Sequence, residues 1–132
     1  MMIRVLLLAT IATGVLLPGP SLAMDTTELK TRLQSNLQRG LERRMVDGAL
    51  LDINLVDGSV EKYFPIEAHA MIVQLGDTYV MCSDLRRPDG SESTVDYYLA
   101  PQGKRFVIMR TEIDNRDPLK KLIRSGAAKV LK

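Results

Sequence analysis

The chain has 132 residues, of which 45% are hydrophobic and 26% are charged, and its formal net charge is +2. This length is that of one ordinary domain, and the hydrophobic fraction is too high for a disordered chain. A nearly balanced charge without a clustered basic surface argues against nucleic-acid binding. Because the chain has one cysteine, it cannot form an internal disulfide, and packing must hold the fold together.

Residues 1–23 have the pattern of a secretory signal peptide. Arg4 precedes an apolar run from Val5 to Leu17, and Ser21-Leu22-Ala23 supplies the small residues of a cleavage site. The run is shorter than the about 20 residues that a membrane-spanning helix needs, so we expect export without stable membrane insertion. An uncleaved N-terminal anchor is the alternative. Cleavage would leave residues 24–132 as one globular domain in the periplasm or secreted, with 17 basic and 16 acidic side chains.

Residues 25–46 are expected to form the first helix. Asp25 followed by Glu28 fits a capping box at its start. Gly40 disfavours a helix by about 1 kcal/mol relative to alanine, so we expect a local irregularity there. Apolar residues recur every four positions and form an oblique ridge, which suits a helix lying across a twisted sheet: Leu29, Leu33, Leu37, Leu41 and Met45.

After this helix the apolar period changes from helical to alternating, and a series of strands follows. Leu51, Ile53 and Leu55 occupy alternate positions and predict a first, half-buried strand. Further strands are expected over residues 60–64, 66–75, 78–85, 93–100 and 105–113. Turn sequences separate them: Asp57-Gly58, Gly76-Asp77, Pro88-Asp89-Gly90 and Pro101-Gln102-Gly103.

The chain closes with a second helix, which begins at Asp117-Pro118 and ends at Gly126. The order of elements predicts an α+β fold, in which an N-terminal helix packs on a curved antiparallel meander of five or six strands and a short C-terminal helix follows. This order is similar to that of the cystatin-like and ketosteroid-isomerase-like folds. Similarity of element order implies an architecture and does not carry a function.

Two segments of the predicted sheet, residues 66–75 and 106–109, are apolar on both faces. A sheet with one solvated face would show clean alternation there. Something must therefore cover the second face. The C-terminal helix, a small apolar ligand or a second copy of the chain in a homodimer could each provide that cover.

Glu67 and His69 lie on one face of their predicted strand, because alternate residues of a strand share a face. A carboxylate such as Glu67 could orient the imidazole of His69 for proton transfer. An enzyme of ketosteroid-isomerase-like architecture is therefore one hypothesis. A partly buried histidine held by hydrogen bonds explains the same residue without catalysis.

Met71, Met109 and Cys82 carry the soft sulfur ligands that select copper(I), so a periplasmic copper-handling protein is another hypothesis. Met81 and Cys82 are adjacent in one predicted strand and must point to opposite faces. Methionine is also an ordinary core residue, and a free cysteine is commonly a small buried hydrophobe. A reactive thiol or an intermolecular disulfide is the functional alternative for Cys82. The apolar neighbours of Cys82 favour burial.

Arg86 and Arg87 precede a charged hairpin loop and are candidates for contact with a protein partner, since binding residues often lie on loops. The sequence contains no glycine-rich phosphate loop, nucleophile elbow or spaced pair of metal ligands, so we expect no cofactor. These observations favour a small exported, non-catalytic module that binds a protein partner or a small apolar ligand.

Overall fold

The computed structural model describes residues 24–66 and 71–132, which form two helices and a seven-stranded antiparallel sheet. The predicted α+β order, with an N-terminal helix, then strands and a short C-terminal helix, is confirmed. The helices are α1 (Thr26–Glu42) and α2 (Asp117–Arg124). The strands are β1 (Leu50–Ile53), β2 (Val60–Pro65), β3 (Met71–Leu75), β4 (Thr78–Arg86), β5 (Glu92–Gln102), β6 (Arg105–Ile113) and β7 (Lys129–Val130).

Strand β4 lies at the centre of the sheet. On one side it pairs with β5 along eight residues, Tyr79 to Arg86. On the other side it pairs first with β3 and then, at Phe64 and Pro65, with the end of β2. Strands β2 and β3 therefore lie end to end beside β4. Strand β1 flanks β2, β7 flanks β3, and β6 flanks β5.

The structure describes the strand expected over residues 66–75 from Met71 onward, as β3. Strand β2 ends at Pro65, whose nitrogen cannot donate a hydrogen bond to a neighbouring strand. The amide of Ile66 still donates to the carbonyl of Asp84 at 3.2 Å. The predicted site residues Glu67 and His69 lie outside the described residues.

Helix α1 packs on one face of the sheet through the predicted leucine ridge. Leu33, Leu37 and Leu41 are buried in this interface. Asn36 ties the same helix to β6, because its side-chain oxygen accepts a hydrogen bond from the Phe106 amide at 3.3 Å. The buried sheet residues of this core come from all strands except β7: Leu50, Tyr63, Ile72, Met81, Leu85, Val95, Tyr97, Leu99 and Ile108.

Helix α2 and the residues after it cover part of the opposite face, called here the second face. The sequence predicted that the second face of the sheet needs a cover, and the C-terminal helix supplies part of it. Val80 and Cys82 lie in this second core, whereas Met81 between them lies in the core under α1, so the predicted opposition of Met81 and Cys82 is confirmed. The second core contains buried and partly buried residues: Val73, Leu75, Val80, Cys82, Tyr98, Leu119, Leu122, Ile123 and Ala128.

Gly40 lies inside the regular helix α1, so the expected irregularity at this position is wrong. A Cβ atom at Gly40 would lie 2.8 Å from Cδ1 and 3.2 Å from Cγ1 of Ile108 on β6. Carbon atoms in favourable contact are about 3.5–4.0 Å apart. Glycine at this position therefore allows the helix to approach the sheet closely.

We predict that the effect of Gly40→Ala depends on residue 108. In an Ile108→Ala background both contacting atoms, Cγ1 and Cδ1, are absent, and alanine at position 40 should stabilise the helix by up to about 1 kcal/mol. With Ile108 present, the added Cβ atom overpacks the interface, which typically costs about 1–3 kcal/mol, so the free energy of unfolding should fall. Urea denaturation of the four proteins measures this coupling. An equal effect of Gly40→Ala in both backgrounds would contradict the close approach.

Candidate functional site

The hairpin formed by β1 and β2 carries six exposed apolar side chains, called here the hairpin patch: Leu51, Ile53, Leu55, Val56, Val60 and Phe64. Leu55 and Val56, at the tip, are 89% and 96% exposed. Ile53 is the cross-strand partner of Val60, and alternate residues share a face, so the four residues within the strands point to one side. This side presents a continuous row of apolar side chains.

The hairpin patch lies on the second face of the sheet. Phe64 is paired with Arg86, which shares a strand face with Cys82 four positions earlier in β4. Cys82 packs in the core beneath α2. Helix α2 therefore covers β3 and β4 on this face and leaves the hairpin patch exposed.

The prediction that Leu51, Ile53 and Leu55 form the buried side of their strand is wrong. The register pairs Leu50 with Tyr63, and these two residues are the ones buried in the core under α1. Alternation in a sequence separates the two faces of a strand but does not say which face another element will cover.

Side-chain hydrogen bonds hold the tip of the hairpin in place. Asn54 Oδ1 accepts a hydrogen bond from the amide of Val56 at 2.9 Å, and Asp57 Oδ1 accepts one from the amide of Ser59 at 2.8 Å. Hydrogen bonds from the side chain and backbone of Ser59 lower the pKa of the Asp57 carboxyl group. Gly58 has a φ of +75°, in the left-handed region that glycine adopts without steric cost. The apolar tip is therefore presented on a defined turn.

The two predicted partner-binding arginines have different surroundings. Arg86 pairs with Glu92, with 3.6 Å between Nη2 and Oε1, and both side chains are exposed. Exposed pairs of this kind contribute at most about 1 kcal/mol, so Arg86 can exchange this contact for one with a partner. Arg87 donates from Nη2 to Asp114 and from Nε to Ser93 Oγ, both at 2.9 Å.

Arg87 also contacts the base of the hairpin. Its guanidinium lies 5.5 Å from the centre of the Tyr63 ring, which is within the range of a cation–π interaction. The Tyr63 hydroxyl donates to Glu61, and burial together with this hydrogen bond raises the pKa of Tyr63 to about 12. Arg87 therefore holds the hairpin against the sheet, which distinguishes it from Arg86.

A buried polar cluster lies between the sheet and the start of α2. Asp96 is 1% exposed, and its Oδ1 atom accepts a hydrogen bond from Nε of Arg116 at 2.9 Å and lies 2.9 Å from Nη2 in an ion pair. Arg116 Nη2 also donates to the carbonyls of Ser83 and Val95 at 3.3 Å. Asp96 is the cross-strand partner of Cys82. We call Cys82, Asp96 and Arg116 the buried cluster.

Sequence reasoning missed Asp96 and Arg116. Alternation over residues 93–100 places Asp96 opposite the apolar residues of its strand, where solvent is the default expectation. The signal available in the sequence was an arginine directly before the helix start at Asp117-Pro118. Nothing in the sequence pairs that arginine with a strand residue twenty positions earlier.

Cys82 is 5% exposed and lies next to the carboxylate of Asp96. Burial, followed by the charge and hydrogen bonding of Asp96, raises the pKa of the Cys82 thiol to about 12. The thiol is therefore protonated at neutral pH, whereas nucleophilic attack and metal binding require the thiolate. This environment is that of a structural cysteine.

The three predicted copper ligands are not brought together as a set. Met71 is the cross-strand partner of Cys82, but Met109 lies on β6, and β5 separates that strand from β4. Met109 is exposed, at the point where the register shifts between Tyr98 and Leu99. Within residues 24–66 and 71–132, no group of three or more His, Cys, Asp or Glu side chains is placed to hold a metal ion. The same part of the chain contains no helix long and apolar enough to cross a membrane.

We predict that the protein loses stability at alkaline pH. The pKa values of Tyr63 and Cys82 are raised to about 12 in the folded state, from ordinary values of 10.0 and 9.0. A raised folded-state pKa leaves stability intact below the unfolded-state pKa and removes it as the pH rises toward the folded-state value. The free energy of unfolding in urea should therefore fall between about pH 9 and pH 12.

A Tyr63→Phe variant is the control for this titration. It removes one of the groups whose pKa is raised in the folded state, so its free energy of unfolding should fall less steeply over the same pH interval than that of the unaltered protein. Absorbance of ionised tyrosine gives an independent reading of the titration. A free energy of unfolding that stays constant up to about pH 11 would contradict the prediction.

A scan of protein-family models, a search of curated proteins and a search of solved structures found no match for this chain. The function must therefore be argued from the geometry of the hairpin patch and the buried cluster.

Proposed function

We propose that this protein is a small exported, non-catalytic module that binds a protein partner through the hairpin patch. The observation that carries the proposal is the exposure of six apolar side chains on one hairpin, two of them at its tip almost completely exposed. Contiguous exposed apolar surface on a soluble protein commonly marks an interaction site. The signal-peptide pattern of residues 1–23 supports the exported location.

The shape of the hairpin patch favours a protein partner over a small apolar ligand. Small-molecule sites are concave and surround most of the ligand. Leu55 and Val56 stand at the end of a hairpin that joins the rest of the sheet through only two paired residues of β2, Phe64 and Pro65. Side chains in that position can enter a groove on another protein.

Two basic side chains lie beside the hairpin patch, and one of them, Arg86, holds its partner Glu92 through an exposed ion pair that a carboxylate of the partner protein could replace. Lys62 is the cross-strand partner of Leu51 and lies on the same face, and Arg86 is paired with Phe64 at the base of the hairpin. A partner surface with acidic side chains around an apolar groove would complement this arrangement and would fix its orientation. This proposal gives Arg86 the recognition role expected for it from the sequence.

The other predicted functions have less support. The buried and protonated state of the Cys82 thiol opposes copper handling through Cys82, Met71 and Met109. Proton transfer by His69 and Glu67 stays a hypothesis, because both residues lie outside the described part of the chain. The cystatin-like order of a helix on a curved sheet is proposed as an architectural analogy, and the function is not argued from it.

We predict that the exported protein begins at Met24. Cleavage after Ala23 would remove residues 1–23 and leave 109 residues, which intact-mass spectrometry of protein from the native host would detect. A variant lacking residues 2–23 is the control and should stay inside the cell. Detection of the intact N-terminus on the exported protein would support an anchor and contradict cleavage.

We predict that a photoreactive amino acid at Val56 forms a covalent adduct of discrete mass with a partner in the native host. The same amino acid at Gln38, an exposed position on α1, should give no such adduct. Replacement of Ile53 by lysine and Val60 by glutamate should abolish the adduct at Val56, because charged side chains cannot be buried in an apolar groove without a large cost.

Loss of the adduct is informative only if the variant protein remains folded. Exposed positions usually tolerate substitution within about 0.5 kcal/mol, and opposite charges at a cross-strand pair attract each other. The urea midpoint of the Ile53→Lys/Val60→Glu variant should therefore stay close to that of the parent. An adduct with twice the mass of the chain would show that the partner is a second copy of this chain, in a homodimer, and not a different protein. An adduct that persists in the double variant, or its absence from Val56 altogether, would contradict the proposed surface.

A further inference from the structure

The C-terminal segment, residues 116–131, crosses the second face directly over Cys82. We call this segment the C-terminal strap. It contains α2, a turn at Gly126 with a φ of +80°, and β7. The apolar side chains of α2 and Ala128 pack on Val73, Val80 and Cys82, whereas Leu131 at the end of the strap contacts the core under α1. The strap is therefore the cover that keeps the second core dry.

The C-terminal strap has few backbone attachments to the sheet. Strand β7 pairs with β3 at only two positions, Val130 with Val73 and Lys129 with Gln74, and the Leu131 amide adds one hydrogen bond to the Ile72 carbonyl at 2.9 Å. By contrast, β4 and β5 pair along eight residues. Segments with few ladder hydrogen bonds are the ones that open locally before a protein unfolds globally.

The helix within the strap depends on its packing. Helix α2 has eight residues, whereas isolated helices shorter than about 12–15 residues are marginal in water. Leu119 is its one fully buried side chain, and Leu122 and Ile123 are partly buried. Once Leu119 leaves the second core, the helix has little to keep it formed. The strap should therefore detach as a unit.

Arg116 fastens the beginning of the strap to the sheet through Asp96. Removal of one partner from a buried ion pair leaves an uncompensated charge and strongly destabilises the buried arrangement. When the strap opens, the Asp96 carboxylate becomes hydrated and no longer needs Arg116 as a partner. Loss of Arg116 therefore raises the free energy of the closed state far more than that of the open state. The Arg116–Asp96 pair thus acts as a latch.

From these contacts we propose that the C-terminal strap is a latched cover that detaches from the second face while the α1 side of the sheet stays folded. Detachment uncovers Val73, Val80 and Cys82 on the face that also carries the hairpin patch. Where the hairpin patch binds a partner, which rests on the proposed function, an open strap would extend that binding surface to Val73, Val80 and Cys82, which the closed strap covers.

Cys82 provides a native probe of this opening. In the closed protein its thiol is buried and protonated, so it should react with iodoacetamide only during opening. Intact-mass spectrometry over time gives the labelling rate, and circular dichroism in urea gives global stability separately. We expect labelling in the absence of urea to exceed the rate that global unfolding allows, and to depend only weakly on low urea concentrations.

Arg116→Gln should raise the labelling rate of Cys82 by at least about ten-fold, because it breaks the latch. Arg110→Gln is the matched control. Arg110 pairs with Glu112 on the same face of β6 but lies outside the strap and is largely exposed, so its loss should change the rate by less than about two-fold. The labelling rate of Cys82 in Arg116→Gln should still depend only weakly on urea. This result would distinguish opening of the strap from destabilisation of the whole protein.

Labelling whose urea dependence equals that of global unfolding, in both the parent and Arg116→Gln, would overturn the strap proposal. An equal acceleration in Arg116→Gln and Arg110→Gln would also overturn it. The result is independent of the adduct at Val56: fast local labelling of Cys82 without that adduct would retain the strap and reject the proposed function. The reverse outcome would reject the strap alone.

Discussion

The burial of β4 on both faces is the constraint on which the rest of the structure depends. Val80, Met81 and Cys82 are consecutive and all buried, so the sheet needs an apolar cover on each side at this strand. Helix α1 covers the Met81 side with its leucine ridge, and the C-terminal strap covers the side of Val80 and Cys82. Helix α1 and the C-terminal strap are thereby brought to opposite faces of one sheet.

The covers differ in size, and this difference explains where apolar surface is left exposed. Helix α1 spans seventeen residues, whereas α2 spans eight and covers β3, β4 and, at Tyr98, part of β5. The hairpin of β1 and β2 extends beyond α2 on the second face, and its apolar side chains stay exposed. Because α2 does not cover the hairpin patch, this apolar surface is available to a partner. The proposed binding function depends on its exposure.

The buried cluster shows how a polar contact can set the position of an apolar cover. A buried ion pair adds little net stability compared with an apolar pair of similar size, because desolvation offsets the attraction. Its directional hydrogen bonds do specify one location, since Arg116 must reach Asp96 and the carbonyls of Ser83 and Val95 together. The pair therefore defines where the strap begins on the sheet.

Local signals in the sequence were sufficient for the elements: the leucine ridge of α1, the glycine turns between strands, and the start of α2 at Asp117-Pro118. These local signals did not predict which face of each strand another element would cover. Alternation places Leu50 and Leu51 on opposite sides of β1, but it does not say which of them packs against α1. Strand β7, the Arg116–Asp96 pair and the approach of Gly40 to Ile108 arise from contacts between distant positions. The sequence by itself thus determined the fold class and the turns through local periodicity, and tertiary packing alone decided which apolar residues became core and which became the hairpin patch.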